Sequence, residues 1–209
     1  MDMKYLLPGL LALAIPLHAQ ATSEWRFTAY LDDKPIGYHR FALSEENGER
    51  RLVSEARFDV KFLFVSAYRY AHDNREYWRG DCLARIEAVT DANGKNYRVR
   101  GRLTNDEFEV DTGREQTALP GCVMSFAYWN PQFLQQPRLL NAQNGEYLDV
   151  SVRDLGADTI TVRGTEQPAR RYRLEAKGFQ IELWYSPQRE WLALDSITES
   201  GKRLRYRLE

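Results

Sequence analysis

Few residues of the kinds that build metal and redox sites occur in this sequence: two cysteines and three histidines among 209 residues. There is no CxxC pair, which removes the usual dithiol redox motif. His18 lies in the N-terminal leader described below, leaving His39 and His72, whereas an ordinary zinc site needs three or four convergent ligands. No metal and no cofactor are therefore expected. No serine sits in a GxSxG elbow, and the nearest neighbourhood of that kind, GCVMSF at residues 121–126, has the wrong spacing. No catalytic residue is assigned on these grounds. An excess of charge of one sign is also missing: 29 basic side chains face 30 acidic ones, for a net charge of -1. That balance removes the simplest reason to expect nucleic acid as a partner. Beyond the N-terminus no apolar run approaches the roughly 20 residues a membrane-spanning helix requires. No stretch rich in Pro, Gly or Ser divides the chain, and no fixed-period repeat is visible.

What is present begins with an export signal. Lys4 precedes an apolar run from Tyr5 to Leu17, followed by Ala19-Gln20-Ala21, the small-x-small pattern at which a signal peptidase cuts. Residues 1–21 are expected to be a signal peptide and residues 22–209 one domain, periplasmic or secreted. In an oxidising compartment, Cys82 and Cys122 can pair only with each other, closing a loop of about 40 residues worth roughly 4 kcal/mol. A Cys82–Cys122 disulfide is the expectation, with two separate buried thiols as the alternative.

Period-two alternation runs almost from end to end. Trp25, Phe27, Ala29 and Leu31 share one parity. Leu52, Ala56, Phe58, Val60, Phe62 and Phe64 share another, interrupted only by Ser54, with Glu55, Arg57, Asp59 and Lys61 opposite. Asn93-Gly94 is the favoured pair for a type I′ hairpin and would set Ala92 opposite Lys95 and Glu87 opposite Arg100. Asn105-Asp106 would set Arg102 opposite Glu109 and Arg100 opposite Asp111. The basic row Arg98, Arg100, Arg102 then lies between acidic rows, and cross-strand pairing on a solvated face accounts for it without a ligand. Tyr172, Leu174 and Ala176, then Phe179, Ile181, Leu183 and Tyr185, and finally Leu204, Tyr206 and Leu208 continue the pattern. The reading is an all-β fold of ten to thirteen strands, an antiparallel meander closing into a barrel or half-barrel.

One segment departs from it. In Cys122–Val150, Asn130-Pro131 forms a helix start and Pro137 a limit, so a short amphipathic helix is expected near residues 131–136. It would cover an open end of the barrel, as a lid if the interior is hollow and as a plug if it is filled.

The segment SFAYWNP at Ser125–Pro131, together with the ending ELWYSPQREWLALDSITESGKRLRYRLE, in which Trp184-Tyr185 precedes two strands and the terminal Tyr206 and Leu208, resembles a group of uncharacterised exported bacterial families of unknown function. The resemblance implies an antiparallel barrel in the periplasm and carries no catalytic residue with it.

Three functional classes stay open. With five Trp and many Tyr and Phe, a barrel of this length can hold a cavity for a hydrophobic, lipid-like envelope ligand, contacted by Phe126, Tyr128, Trp129, Phe133 and Trp184. The alternative is an envelope protein-interaction or assembly factor without a small ligand. A hydrolase is the third, its best polar candidates being His72 with Asp73 and Glu76. Adjacent strand residues point to opposite faces, so a loop His72 bonded to a neighbouring carboxylate is the more ordinary account.

Overall fold

A computed structural model describes residues 22–62, 65–198 and 201–209. The expected signal peptide lies outside the described residues, as do Phe64 and the tip Glu199-Ser200 of the last expected turn. Among the described residues fourteen strands form: β1 (Thr22–Leu31), β2 (Lys34–Glu46), β3 (Glu49–Phe62), β4 (Val65–Arg79), β5 (Cys82–Ala92), β6 (Lys95–Thr104), β7 (Glu107–Asp111), β8 (Gln116–Pro120), β9 (Arg138–Leu140), β10 (Tyr147–Val162), β11 (Thr165–Ala176), β12 (Phe179–Tyr185), β13 (Trp191–Ile197) and β14 (Arg203–Leu208). They make one antiparallel sheet in the order β8 to β1, then β14 to β9.

The meander thus starts and ends at the centre of the sheet. Antiparallel pairing of β1 with β14, with Phe27 opposite Leu208 and Ala29 opposite Tyr206, joins its two halves. That pairing covers what would otherwise be two exposed edges. The remaining edges, β8 and β9, are consecutive in sequence, and no ladder joins them among the described residues. The sheet curls into a barrel-like shape without hydrogen-bonded closure, and residues 121–137 span from one edge to the other. Curvature comes from irregularities in the ladders, at Ala29/Tyr30, Val60/Lys61, Tyr77/Trp78, Asp154/Gly156 and Trp184/Tyr185. Each adds a local bend and twist to its strand. Gly37 leaves no room for a side chain between β2 and β3: a Cβ there would lie 1.9 Å from the Arg57 carbonyl oxygen.

Both hairpin registers read from the sequence form. Ala92 faces Lys95 and Glu87 faces Arg100, and Arg100 faces Asp111 and Arg102 faces Glu109. Asn93 (φ 55°) and Gly94 (φ 88°) both adopt the left-handed conformation that a type I′ turn requires. The Arg102–Glu109 pair is made at 3.4 Å on an exposed face.

The spanning segment is largely a plug. Val123, Met124, Ala127, Trp129 and Phe133 are buried in the core, and the short helix expected near residues 131–136 forms as a 3-10 helix, Pro131–Gln135. Asn130 caps it by accepting from the Gln132 N–H at 3.2 Å. Cys82 and Cys122 are joined, with Cα atoms 4.8 Å apart.

Candidate functional site

Six hydrogen bonds and the disulfide fix the path of residues 122–130 through the curled sheet. Beside the disulfide, the Leu83 N–H donates to the Val123 carbonyl at 2.8 Å; the Leu140 N–H donates to Met124 at 2.9 Å, and the Phe126 N–H to Leu140 at 3.3 Å. The Ser125 hydroxyl donates to Glu76 at 2.9 Å, the Tyr185 hydroxyl to the Tyr128 carbonyl at 2.7 Å, and the Asn130 amide to Asp81 at 2.9 Å. The segment is therefore held from β4, β5, β9 and β12 at once.

It does not fill the interior. Between Ser125–Trp129, the Asn141–Gln143 turn and the inner faces of β2, β3, β4, β12, β13 and β14 lies a cavity of about 450 Å³. Its wall includes Phe41, Leu52, Phe126, Tyr128, Phe179 and Ile181, all apolar or aromatic. Ala142, Gln143, Phe179 and Leu204 are half-buried, whereas Phe41, Leu52, Asn74, Glu76 and Ser125 are fully buried, so the cavity runs from an accessible rim to a closed end. A separate groove over β5–β8 is lined by Arg85, Glu87, Arg100, Arg102, Glu109 and Asp111; it lies on the charged, solvated parity of those strands.

The closed end is polar, and β4 supplies it. Tyr70, His72, Asn74, Glu76 and Trp78 share the inward parity of that strand. The Glu76 carboxylate is 2 % exposed, and it accepts from Asn74 Nδ2 at 3.0 Å, Trp78 Nε1 at 3.0 Å and Ser125 Oγ at 2.9 Å. Burial raises the Glu76 carboxyl above the usual range, and the three hydrogen bonds offset part of that effect. His72 Nδ1 lies 2.8 Å from the Thr90 hydroxyl. His39 Nε2 lies 2.8 Å from Ser54 Oγ and its Nδ1 3.3 Å from the Tyr206 hydroxyl. The two imidazoles meet edge to face at 6.5 Å. Burial, then the neighbouring His72, pushes His39 well below 6.5; burial pushes His72 down to about 4, against the pull of Asp73. Both rings are neutral at neutral pH.

These shifts give a pH dependence with a definite sign. Each imidazole binds its proton more readily in the unfolded chain, so its contribution is present above about 6.5 and is lost as pH falls toward 4. For His72 the displacement corresponds to about 3 kcal/mol. Glu76 has the opposite sign: its contribution is greatest below the ordinary carboxyl value and declines as pH rises. Urea denaturation should show stability falling between pH 7 and 4.5, with a shallower fall in His72→Gln. Equal slopes in the two proteins would contradict a buried neutral His72.

His72 is thus not a loop residue bonded to a carboxylate. It lies in β4, opposite Ala56 and Thr90, and Asp73 points to the other face, where Arg57 binds it at 2.7 Å. Among the described residues no three His, Cys, Asp or Glu side chains converge on a point that could hold a metal. The Ser54–His39 contact has the distance of a nucleophile–base pair, but His39 is oriented by a phenol rather than a carboxylate, and its low basicity makes it a poor proton acceptor.

The residues expected to touch a ligand divide. Phe126, Tyr128 and Trp129 line the cavity. Phe133 is buried behind them, edge-on to Tyr128 at 5.6 Å. Trp184 lies on the opposite face of β12, where its Nε1 donates to Asp158 at 2.9 Å and the Arg171 guanidinium stacks over its ring. The polar end escaped the sequence reading because both parities of β4 are polar, so hydrophobic alternation selects neither face. A usable signal was present: Tyr70 and Trp78 share the parity of His72, Asn74 and Glu76, and Ser54 breaks an otherwise apolar stripe.

No curated protein matches the chain. A solved structure, a beta-barrel-like protein of the domain of unknown function DUF1849 from Brucella abortus, is similar in fold: TM-score 0.65 over 89% of this chain and 95% of that one, at 9% identity. Among the described residues no helix is long and apolar enough to cross a membrane. A family model described as Domain of unknown function (DUF6134) matches residues 27–209, and the chain belongs to that family.

Proposed function

We propose that this protein is an exported carrier or sensor that holds a hydrophobic, lipid-like molecule of the cell envelope inside the curled sheet. The observation that carries this reading is the cavity of about 450 Å³ with aromatic walls behind residues 125–129. Its size falls within the range of small-molecule sites, and its plan matches theirs: mostly apolar lining, with a few convergent polar groups. Among the described residues the large apolar side chains exposed on the outer surface are Tyr68, Val89, Leu155 and Ile197, each standing singly. Isolated exposed apolar residues of this kind do not mark an interface, which favours the interior over a protein-docking role. The export that places the protein near such ligands rests on Lys4, the apolar run and Ala19-Gln20-Ala21.

Ligand that binds only the folded state raises its stability. A single-chain apolar ligand at saturation should raise Tm by about 5 °C or more. Ala142→Trp, which places an indole at the half-buried rim, should abolish that shift while leaving the unliganded fold intact. Native mass spectrometry of protein taken from its own envelope should show bound mass that Ala142→Trp lacks. Absence of both effects across alkyl chains of several lengths would remove the reading, and crosslinking to one envelope protein would then support the assembly-factor alternative.

A further inference from the structure

We propose that the closed end of the cavity selects the ligand's head group, and that it accepts an uncharged, hydrogen-bond-donating head such as a hydroxyl or amide while rejecting a carboxylate or phosphate. The inference rests on the cavity-binding reading above and specifies the ligand class for that site.

Two atoms carry it. Asn74 is 7% exposed and lines the cavity. Its Nδ2 is engaged by Glu76, but its Oδ1 has no hydrogen-bond partner among the described residues. Trp129, 8% exposed and also in the lining, leaves its Nε1 equally unpartnered. Both lie near Glu76: Asn74 donates to it, and Trp129 packs edge-on at 5.5 Å against Trp78, whose Nε1 donates to it. Buried polar atoms are satisfied in nearly all folded proteins, so an orphan acceptor in a cavity wall asks for a donor from whatever occupies the cavity. The orphan Trp129 N–H, also in the cavity wall, donates to an oxygen in return. A hydroxyl or amide supplies both.

Charge decides the rest. No Lys or Arg is among the lining residues. Of the nearby guanidiniums, Arg57 is committed to Asp73 and Glu55 on the outer face, and Arg50, 4.8 Å over the Trp129 ring, is committed to the Gly80 carbonyl and Asp81. His39 and His72 are neutral and cannot serve as counter-ions. An anionic head would be stripped of water beside a buried carboxyl with no cation to meet it, the costliest form of burial. A cationic head finds no open counter-ion either, because the Glu76 oxygens already accept three hydrogen bonds and burial favours their protonated form. His72 Nε2 and the Ser54 and Tyr206 hydroxyls add neutral capacity along the path to the rim.

The test uses three probes that share one chain: dodecanol, dodecanoate and dodecyl methyl ether, titrated calorimetrically into the full-length mature protein at neutral pH. Dodecanol should bind roughly fivefold or more tightly than the ether, which lacks a donor, and about 100-fold more tightly than dodecanoate. In Asn74→Leu the preference for alcohol over ether should vanish while ether binding persists. Dodecanoate binding as tightly as dodecanol, or ether matching alcohol in the wild-type protein, would overturn the head-group inference and leave cavity binding standing. Failure of all three probes to bind would instead remove cavity binding itself. Should Asn74→Leu fail to fold, the three-probe series on the wild-type protein decides alone.

Discussion

Glu76→Leu should destabilise the protein by about 4 kcal/mol, because it removes one acceptor from beneath three buried donors. Asn74 Nδ2, Trp78 Nε1 and Ser125 Oγ all converge on this carboxylate, and each donor left unpaired in the interior costs about 1–3 kcal/mol. Replacement of a complete buried ionic cluster by apolar residues can be neutral or stabilising. Here only the acceptor is exchanged, and the donors remain. Relaxation of Ser125 toward other partners limits the total, since its segment is also held by backbone contacts on either side. Glu76→Gln keeps one acceptor oxygen and should recover about half of the loss. Urea denaturation at pH 7 measures both. A Glu76→Leu protein as stable as wild type would mean that the three donors find other partners, and the account of the closed end would have to be abandoned.

Loss of the Cys82–Cys122 bond should cost a comparable amount, by a different route. The bridge closes a loop of 40 residues, and in the chain-entropy model that constraint on the unfolded state is worth about 4 kcal/mol. In the folded state it sits beside the Leu83–Val123 hydrogen bond, where the spanning segment leaves the edge strand and enters the interior. Cys82→Ser with Cys122→Ser should therefore lower unfolding free energy by about 4 kcal/mol and also weaken any ligand-induced Tm shift. Residues 125–129, which form one wall of the cavity, are then tethered by fewer contacts. The comparison must use unfolding free energies rather than midpoints, because releasing the loop exposes more surface on unfolding and steepens the denaturant dependence. A double variant that matches wild type in both measurements would show that the non-covalent contacts suffice.

The two predictions concern the same segment from its two sides. Glu76 holds it from β4 through Ser125, and the disulfide holds it from the start of β5. Between them the chain is packed tightly enough that Phe133, fully buried, contributes up to about 3 kcal/mol of apolar burial, yet the aromatic side chains ahead of it leave a cavity. Lid and plug, posed as alternatives, turn out to describe different parts of one segment: Val123, Met124 and Phe133 fill, while Phe126, Tyr128 and Trp129 line.

Local rules explain which features could be read in advance. Period-two alternation and the turn pairs Asn93-Gly94 and Asn105-Asp106 depend on backbone conformation within a few residues, so strand parity and hairpin register were legible. The pairing of two cysteines was legible because no third thiol competes. Strand number fell short at fourteen against ten to thirteen, since short edge strands such as β8 and β9 carry too few residues to show a period. Trp184 was expected at a ligand on its aromatic character alone, although its parity in β12, opposite that of Ile181 and Leu183, sets it on the other face. His72 was misplaced because a strand polar on both faces has no hydrophobic parity to read.

The sequence by itself determined an all-β chain and its hairpin registers, since these follow from contacts between near neighbours, and it left the Cys82–Cys122 bond and a barrel-like curl as expectations that the structure met. Only the tertiary structure decided that β1 pairs with β14, that the sheet curls without hydrogen-bonded closure, and that residues 121–137 cross from β8 to β9. Only it brought Asn74 and Glu76 of β4 together with Ser125 and Trp129. Those outcomes depend on long-range packing. A buried polar cluster looks, one strand at a time, like an exposed face, and burial becomes visible only when the sheet curls around it.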